Sequence, residues 1–513
     1  MTLSYDKLKY YIYAFIGSSV FVFFTFYLRV WYIGAVYTAL MITFMILQKR
    51  REIRNNTDNG GHVVISRRNI MIYAAISLVW TFLGGQGGHY YQSSDWDVKN
   101  AVYRDLITRN WPVVYPEQGK MLDYYIGHWM TPAFFTKAFS LAGIKGSALW
   151  VIGNQFLWLF TAAGVFIVMI LALCIIKTND PKKQLLIPLM MICFSGMDII
   201  GALTDILFFH EVSFGTLQIE WWSGFLQYSG LTTCLFWVFN QTLIPWIVIL
   251  CLFLEKTPKM YVFLGLCASL AGPIPFLCIF FYMLAYGIRR AVTLIRDEHN
   301  VKGLIFEFLY PVNIISVVPM LMVLKFFSSN ASINSSGSEY GDVAFSFLWF
   351  KVNAIPDVVI LRHILMFIFL EVMVFFILLY EKNGRNSLYW TTVVLLLVCP
   401  FISIGQQGDF VMRFSVPAIM VLFIMCAKGL LSDDNEELLS ARIRKALIVV
   451  LIIGCFTPFT EVARGYLTML GTGKADNVWD NQKTLEDLSD DANYMAYNYS
   501  EDAFLDWITG GNK

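Results

Sequence analysis

The chain has 513 residues, 57% hydrophobic and 15% charged, with a formal net charge of +1. Soluble globular chains carry about 25% charged residues, so the composition argues against a water-soluble enzyme, and a mean hydropathy of +0.59 points to a polytopic membrane protein. The balanced charge and the lack of a basic arm or DNA-binding motif argue against nucleic acid as a partner.

Apolar blocks, most of them near or above the roughly 20 residues that a bilayer demands, follow one another along the chain. They cover 10–28, 31–48, 69–87, 149–176, 184–209, 229–254, 260–271, 274–288, 303–327, 354–380, 388–403, 413–427 and 446–459. The first is followed at once by a second, so it reads as a span and not as a cleaved leader. The short pair at 260–288 flanks Gly272-Pro273-Ile274-Pro275. It reads either as a re-entrant hairpin or as two crossings, because backbone breaks inside a membrane only where protein or water satisfies it. The expected fold class is an all-α polytopic membrane protein with about 11–13 transmembrane helices. Three parts follow: a hairpin with a basic loop (1–68), a membrane domain (69–459) and an acidic tail (460–513).

Lys and Arg set the orientation. Lys7/Lys9, Lys49–Arg68, Lys177/Lys182/Lys183, Lys256/Lys259, Arg289–Lys302, Lys382/Arg385 and Lys428–Lys445 alternate with the longer segments 88–148, 210–228, 328–353 and 460–513. The basic loops are then cytoplasmic and too short for a catalytic domain, so chemistry is expected on the outer face, where no nucleotide pool exists. No phosphate loop or dinucleotide fingerprint occurs in a strand–turn–helix context. All nine cysteines lie in apolar segments, which leaves neither a disulfide-stapled outer domain nor a CxxC metal site. No histidine pair has zinc-ligand spacing. Ser328–Ser338 reads as a flexible loop. The tail is too short to bury much core of its own and is expected to lie on the membrane domain through Trp479 and Ala503–Ile508.

The first outer segment is richest in chemistry. Gly84-Gly85-Gln86-Gly87-Gly88 reads as a hinge, since glycine prevents a rigid helix end. Ser94 then reads as the N-cap of an amphipathic interfacial helix reaching about Thr108 and stopped by Arg109-Asn110-Trp111-Pro112. Asp95 and Asp97 stand at its start. Two carboxylates there can deprotonate a hydroxyl acceptor or hold a divalent cation, Mg2+ or Mn2+. The competing reading is a capped, solvated surface helix.

These residues resemble the GT-C superfamily of membrane glycosyltransferases, in particular its aminoarabinose transferase and protein O-mannosyltransferase branch. That branch has an acidic residue just after an outward-going span, an Arg-acidic-Met/Leu triplet nine positions on, and a Trp-x-x-Pro-like element. Here Asp95 is followed by Arg104-Asp105-Leu106 and by Trp111-Pro112-Val113-Val114-Tyr115-Pro116. Tyr124-Tyr125-Ile126-Gly127-His128-Trp129 and Phe139–Gly143 match the branch's aromatic return to the membrane and its small-residue turn. The likeness is specific over about 84–150. The motif follows the third span here and not the first, the relatives' Lys-Pro-Pro element is missing near Asp123, and the second acid is two positions from Asp95. The resemblance implies a GT-C-like fold, a polyprenyl-phosphate-linked sugar as donor, inverting transfer to an outer-face glycan or lipid, and Asp95 as catalytic base.

Ionisable residues inside spans are functional candidates. Asp198 and Asp205, seven apart, share one helix face. In the following loop, His210-Glu211 precedes Glu220-Trp221-Trp222, where a carboxylate beside indole faces suits the C–H face of a hexose; an interfacial aromatic belt is the alternative. Asn240-Gln241 read as helix-packing amides. For the donor phosphate, guanidinium groups at outer depth are sought: Arg413, after Gln406-Gln407-Gly408-Asp409, and Arg362, beside His363. Lys99, Arg104 and His128 complete the substrate-binding candidates. The leading expectation is a glycosyltransferase in the cytoplasmic membrane of a bacterium, with Asp95 and Asp97 catalytic, acting in envelope glycan or glycolipid modification. A transporter or flippase of a lipid-linked saccharide, and a polysaccharide polymerase or ligase, are the alternatives.

Overall fold

The computed structural model describes residues 1–54, 62–209, 218–334, 346–348, 356–405, 408–472, 479–488 and 493–511. His210-Glu211, Gln406-Gln407 and the end of the Ser328–Ser338 loop lie outside the described residues. Among those described, eight helices are long and apolar enough to cross a membrane: Tyr5–Tyr27, Trp31–Glu52, Gly146–Ile176, Pro273–Asp297, Pro311–Ser328, Asp357–Asn383, Asp409–Leu431 and Ala441–Gly471. Shorter apolar helices join them at Phe239–Leu254, Pro258–Ala271 and Ser387–Phe401. Phe239–Leu254 is almost wholly buried and forms the axis of the core.

The count of long spans is lower than the apolar blocks suggest, for local reasons. Block 184–209 breaks at Ser195-Gly196 into Pro181–Ile192 and Asp198–Thr204. Block 229–254 breaks at Val238 into Leu231–Trp237 and Phe239–Leu254. Block 303–327 breaks at Leu309-Tyr310 into Val301–Phe308 and Pro311–Ser328, the second opening on a proline, which suits a first helical turn. The helix Tyr261–Ala271 rises about 16 Å, half a bilayer, and turns at Gly272 into the long helix from Pro273. The last span runs to Gly471 and not 459, because Glu461 and Arg464 pair with each other inside the protein.

The loops gather at two opposite ends. At one end the N-terminal strand Thr2–Leu3 pairs with Val63–Val64, the backbone of Val64 donates to Asn179, and Lys183 pairs with Asp433 at 2.9 Å. At the other end the tail closes over the first long loop. Met495–Tyr497 adds a third antiparallel strand to the hairpin Val114–Tyr115 and Lys120–Leu122. Asp105 accepts from the Tyr115 hydroxyl at 2.6 Å and from the Leu485 amide at 3.1 Å. Trp479 lies over the Arg104 guanidinium, 4.2 Å from its ring centre. The turn of helix Ala503–Thr509 buries Leu505 and Ile508, and the Arg29 amide donates to the Ile508 carbonyl. The N-terminal hairpin is fastened to the rest of the chain as well: Ser18 and Ser19 meet Thr131, and Tyr37 meets Ser316.

Candidate functional site

The helix break at Val238 positions the site. A helix that stops leaves its last carbonyls without intrahelical partners, and its C-terminal end attracts cations. The carbonyls of Leu235, Phe236 and Trp237 accept in turn from the Gln86 amide, the Trp96 indole and the Lys99 ammonium. Trp96 also stacks on Phe239, the first residue beyond the break, with centroids 4.8 Å apart. These contacts lock the start of the helix Trp96–Thr108 onto the membrane core.

The glycine run before it is a packed turn and not a loose hinge. Gly85, Gly87 and Gly88 have positive φ, a region glycine enters without steric cost. A Cβ on Gly85 would stand 2.7 Å from the Tyr91 carbonyl oxygen. Gln92 donates back to the Gly85 carbonyl, and Asn100 donates to Gln92.

Asp95 occupies the N-cap position in place of Ser94, and its side chain makes no capping bond. Its carboxylate is half-exposed, with Lys99 Nζ 3.8 Å away on the next turn. Lys99 itself is buried, and burial lowers its ammonium to about 8; Arg413 pushes the same way and Asp95 opposes. Arg413 stands in the first turn of the Asp409–Leu431 helix, paired with Asp409 at 3.1 Å. The Tyr124 hydroxyl feels both Arg413 and Asp95, and the Tyr125 hydroxyl feels Arg413 and Asp409. The fold thus brings Arg413, from a helix distant in sequence, toward the Asp95–Lys99 pair of neighbouring turns, beside two tyrosines that stack at 4.5 Å.

Other candidates stand elsewhere. Asp97 is exposed and about 200° round the helix from Asp95, so the two carboxylates do not converge on one ion. The described residues hold no group of three His, Cys, Asp or Glu suited to a metal. Arg104 faces the tail through Trp479. His128 is buried between Phe160 and Phe239, with Nε2 2.9 Å from the Thr161 hydroxyl. Arg362 is half-buried on the helix Asp357–Ile368, beside His363, whose ring meets Phe225.

A second cluster lies behind the first. Asp198 accepts from Ser195 at 2.9 Å and from Thr457 at 2.7 Å. Glu220 accepts from the Gly230 amide and from Gln227, both at 2.9 Å. Burial, then Asp198 and Glu461, push Glu220 up to about 8. Trp221 is exposed and bonds Gln227, whereas Trp222 is buried and donates to Glu371. Glu371 sits in a single π-helical turn, Phe369–Met373, a feature frequent at functional sites. Its carboxyl packs so closely on Gly196 that a Cβ there would lie 1.6 Å from Oε2. The two clusters are joined through Trp237: its carbonyl receives Lys99, and its indole donates to Glu461 at 2.8 Å. Arg464 pairs with Glu461 over the same indole.

Sequence reasoning missed Glu371, Glu461, Arg464 and Trp237. Glu371 carries the signal that identified Asp198, an acid within an apolar span. Glu461 and Arg464 fell in what reads as the tail, because their charges lower the local hydropathy.

The fold and this seam of buried polar groups define a multi-pass helical membrane protein with a charged centre at one end. Comparison with protein-family models, curated proteins and solved structures returns no match.

Proposed function

We propose that the chain is a membrane glycosyltransferase that takes a sugar from a polyprenyl-phosphate carrier and passes it to a glycan or lipid acceptor on the outer membrane face. The observation that carries this reading is the grouping of a half-exposed carboxylate, Asp95, with the cations Lys99 and Arg413. Single displacement at an anomeric carbon needs a base for the acceptor hydroxyl and positive charge for the departing phosphate. Asp95 takes the hydroxyl proton as the acceptor oxygen bonds the anomeric carbon. The carbon–phosphate oxygen bond breaks on the opposite face, which inverts the centre, and Arg413 meets the released phosphate. Lys99, 3.8 Å away, orients Asp95. The donor brings its own lipid, which suits a site at the membrane end of the first long loop.

A second reading, a carrier of lipid-linked saccharide, is favoured by one observation. The buried acids Asp198, Glu220 and Glu371 lie near a discontinuous helix, an arrangement used for coupling ions or protons. Purified protein separates the two. Release of polyprenyl phosphate with formation of a glycosylated acceptor in detergent supports the transferase. Proton-coupled movement of the lipid-sugar across vesicles, with no glycosidic bond broken, supports the carrier.

A further inference from the structure

At the end of the bundle remote from Asp95, the helix Pro181–Ile192, the end of Asp409–Leu431 and the helix Ala441–Gly454 leave a groove of about 700 Å3. Helix Asp409–Leu431 relates the two places: Arg413 is near its start, whereas Leu430 and Leu431 line the groove, about 26 Å further along. The groove and the charged centre therefore face opposite sides of a bilayer whose core is about 30 Å thick.

The groove is apolar along its length and cationic at its rim. Lys183, Arg444 and Lys445 stand at the mouth, and the thiols of Cys193 and Cys455 face each other at the far end. Lys183 is occupied by Asp433. Arg444 and Lys445 have no side-chain hydrogen bond or ion pair among the described residues. Ten residues separate Lys183 from Cys193 and eleven separate Arg444 from Cys455, which sets the depth at about 15–16 Å. That is half the hydrocarbon thickness, the reach of one leaflet.

We propose that this groove is a binding site for an anionic phospholipid, with an acyl chain along the apolar walls and the phosphate between Arg444 and Lys445. An acyl chain gains the same burial whatever its headgroup, so the walls alone do not discriminate. The two cations, which have no counter-ion among the described residues, do: each juxtamembrane Lys or Arg is worth roughly fivefold in affinity for an anionic lipid. The one-leaflet depth suits a phospholipid chain and not the longer polyprenyl carrier. The site is independent of the reaction proposed above.

Native mass spectrometry of the full chain in detergent, titrated with phosphatidylglycerol or phosphatidylcholine of identical chains, tests it. Phosphatidylglycerol is expected to be retained about 25-fold better, the product of two such cations, and the double variant R444A/K445A to lose that preference while its lipid-free melting temperature is unchanged. Arg442→Ala, off the groove, is expected to keep the preference. In the unaltered protein, phosphatidylglycerol and not phosphatidylcholine should slow labelling of Cys193 and Cys455 by an apolar maleimide. Equal retention of the two lipids, displacement of phosphatidylglycerol by polyprenyl phosphate at equal concentration, or burial of the groove in a dimer would each overturn the proposal.

Discussion

Lys99 Nζ lies 3.8 Å from Oδ2 of Asp95 while donating to the Trp237 carbonyl across a helix break. A half-exposed pair at that distance contributes about 1 kcal/mol or less to stability, so its value lies in orientation and charge. Burial lowers Lys99 to about 8, below the ordinary lysine range near 10.4. The sign follows: the ammonium is charged below pH 8 and is lost as pH rises through that value. In the proposed reaction, kcat/KM for the donor should therefore fall above about pH 8. Lys99→Arg, which stays charged, should move that limb upward by at least one unit; an unchanged profile would remove Lys99 from the mechanism.

Arg413 is the cation assigned to the phosphate. Arg413→Gln is expected to raise the donor KM about 30-fold, the effect of deleting a partly buried charge partner, with a smaller change in acceptor KM. Asp409→Asn, which removes only its intrahelical partner, should change donor KM by less than threefold. Steady-state kinetics with each substrate varied separately checks both.

Asp123 has both carboxyl oxygens buried without a hydrogen-bond partner among the described residues, and burial holds its carboxyl well above the ordinary range. Between the unfolded value, about 3.9, and the raised folded value, the folded state binds the extra proton. Stability then decreases as pH rises across that window. Asp123→Asn should raise the melting temperature at pH 7 and above, with little effect near pH 4. An equal shift at both would mean that Asp123 titrates normally.

Asp105 clamps the tail to the first loop through Tyr115, Arg109 and the Leu485 amide. Asp105→Ala leaves those donors unsatisfied, at a cost of about 2–5 kcal/mol. Limited proteolysis should show cleavage between the last span and Trp479 at much lower protease concentration than in the parent protein. Unaltered protection would show that strand Met495–Tyr497 and Trp479 hold the tail unaided.

Apolar length made the helical, multi-pass class legible in the sequence. The helix Trp96–Thr108 also ends where Arg109-Asn110-Trp111-Pro112 places it. Its surroundings were not legible. An amphipathic pattern cannot distinguish water from a folded tail, and the tail's strand Met495–Tyr497 has too few residues to announce its pairing. Lys99 and Arg413 were each visible as cations, but their meeting depends on the break at Val238, which no glycine or proline marks. Glu461 and Arg464 were misread because a mutually neutralising pair lowers hydropathy as much as two solvated charges do.

The central claim is that Asp95 is the base of a transfer from polyprenyl-phosphate sugar. The most direct measurement is the turnover number of purified Asp95→Asn protein with such a donor and a saturating acceptor. The account predicts a loss of about 10²–10⁴-fold, with donor KM within threefold of the parent and an unchanged melting temperature. Turnover equal to that of the parent protein would contradict it.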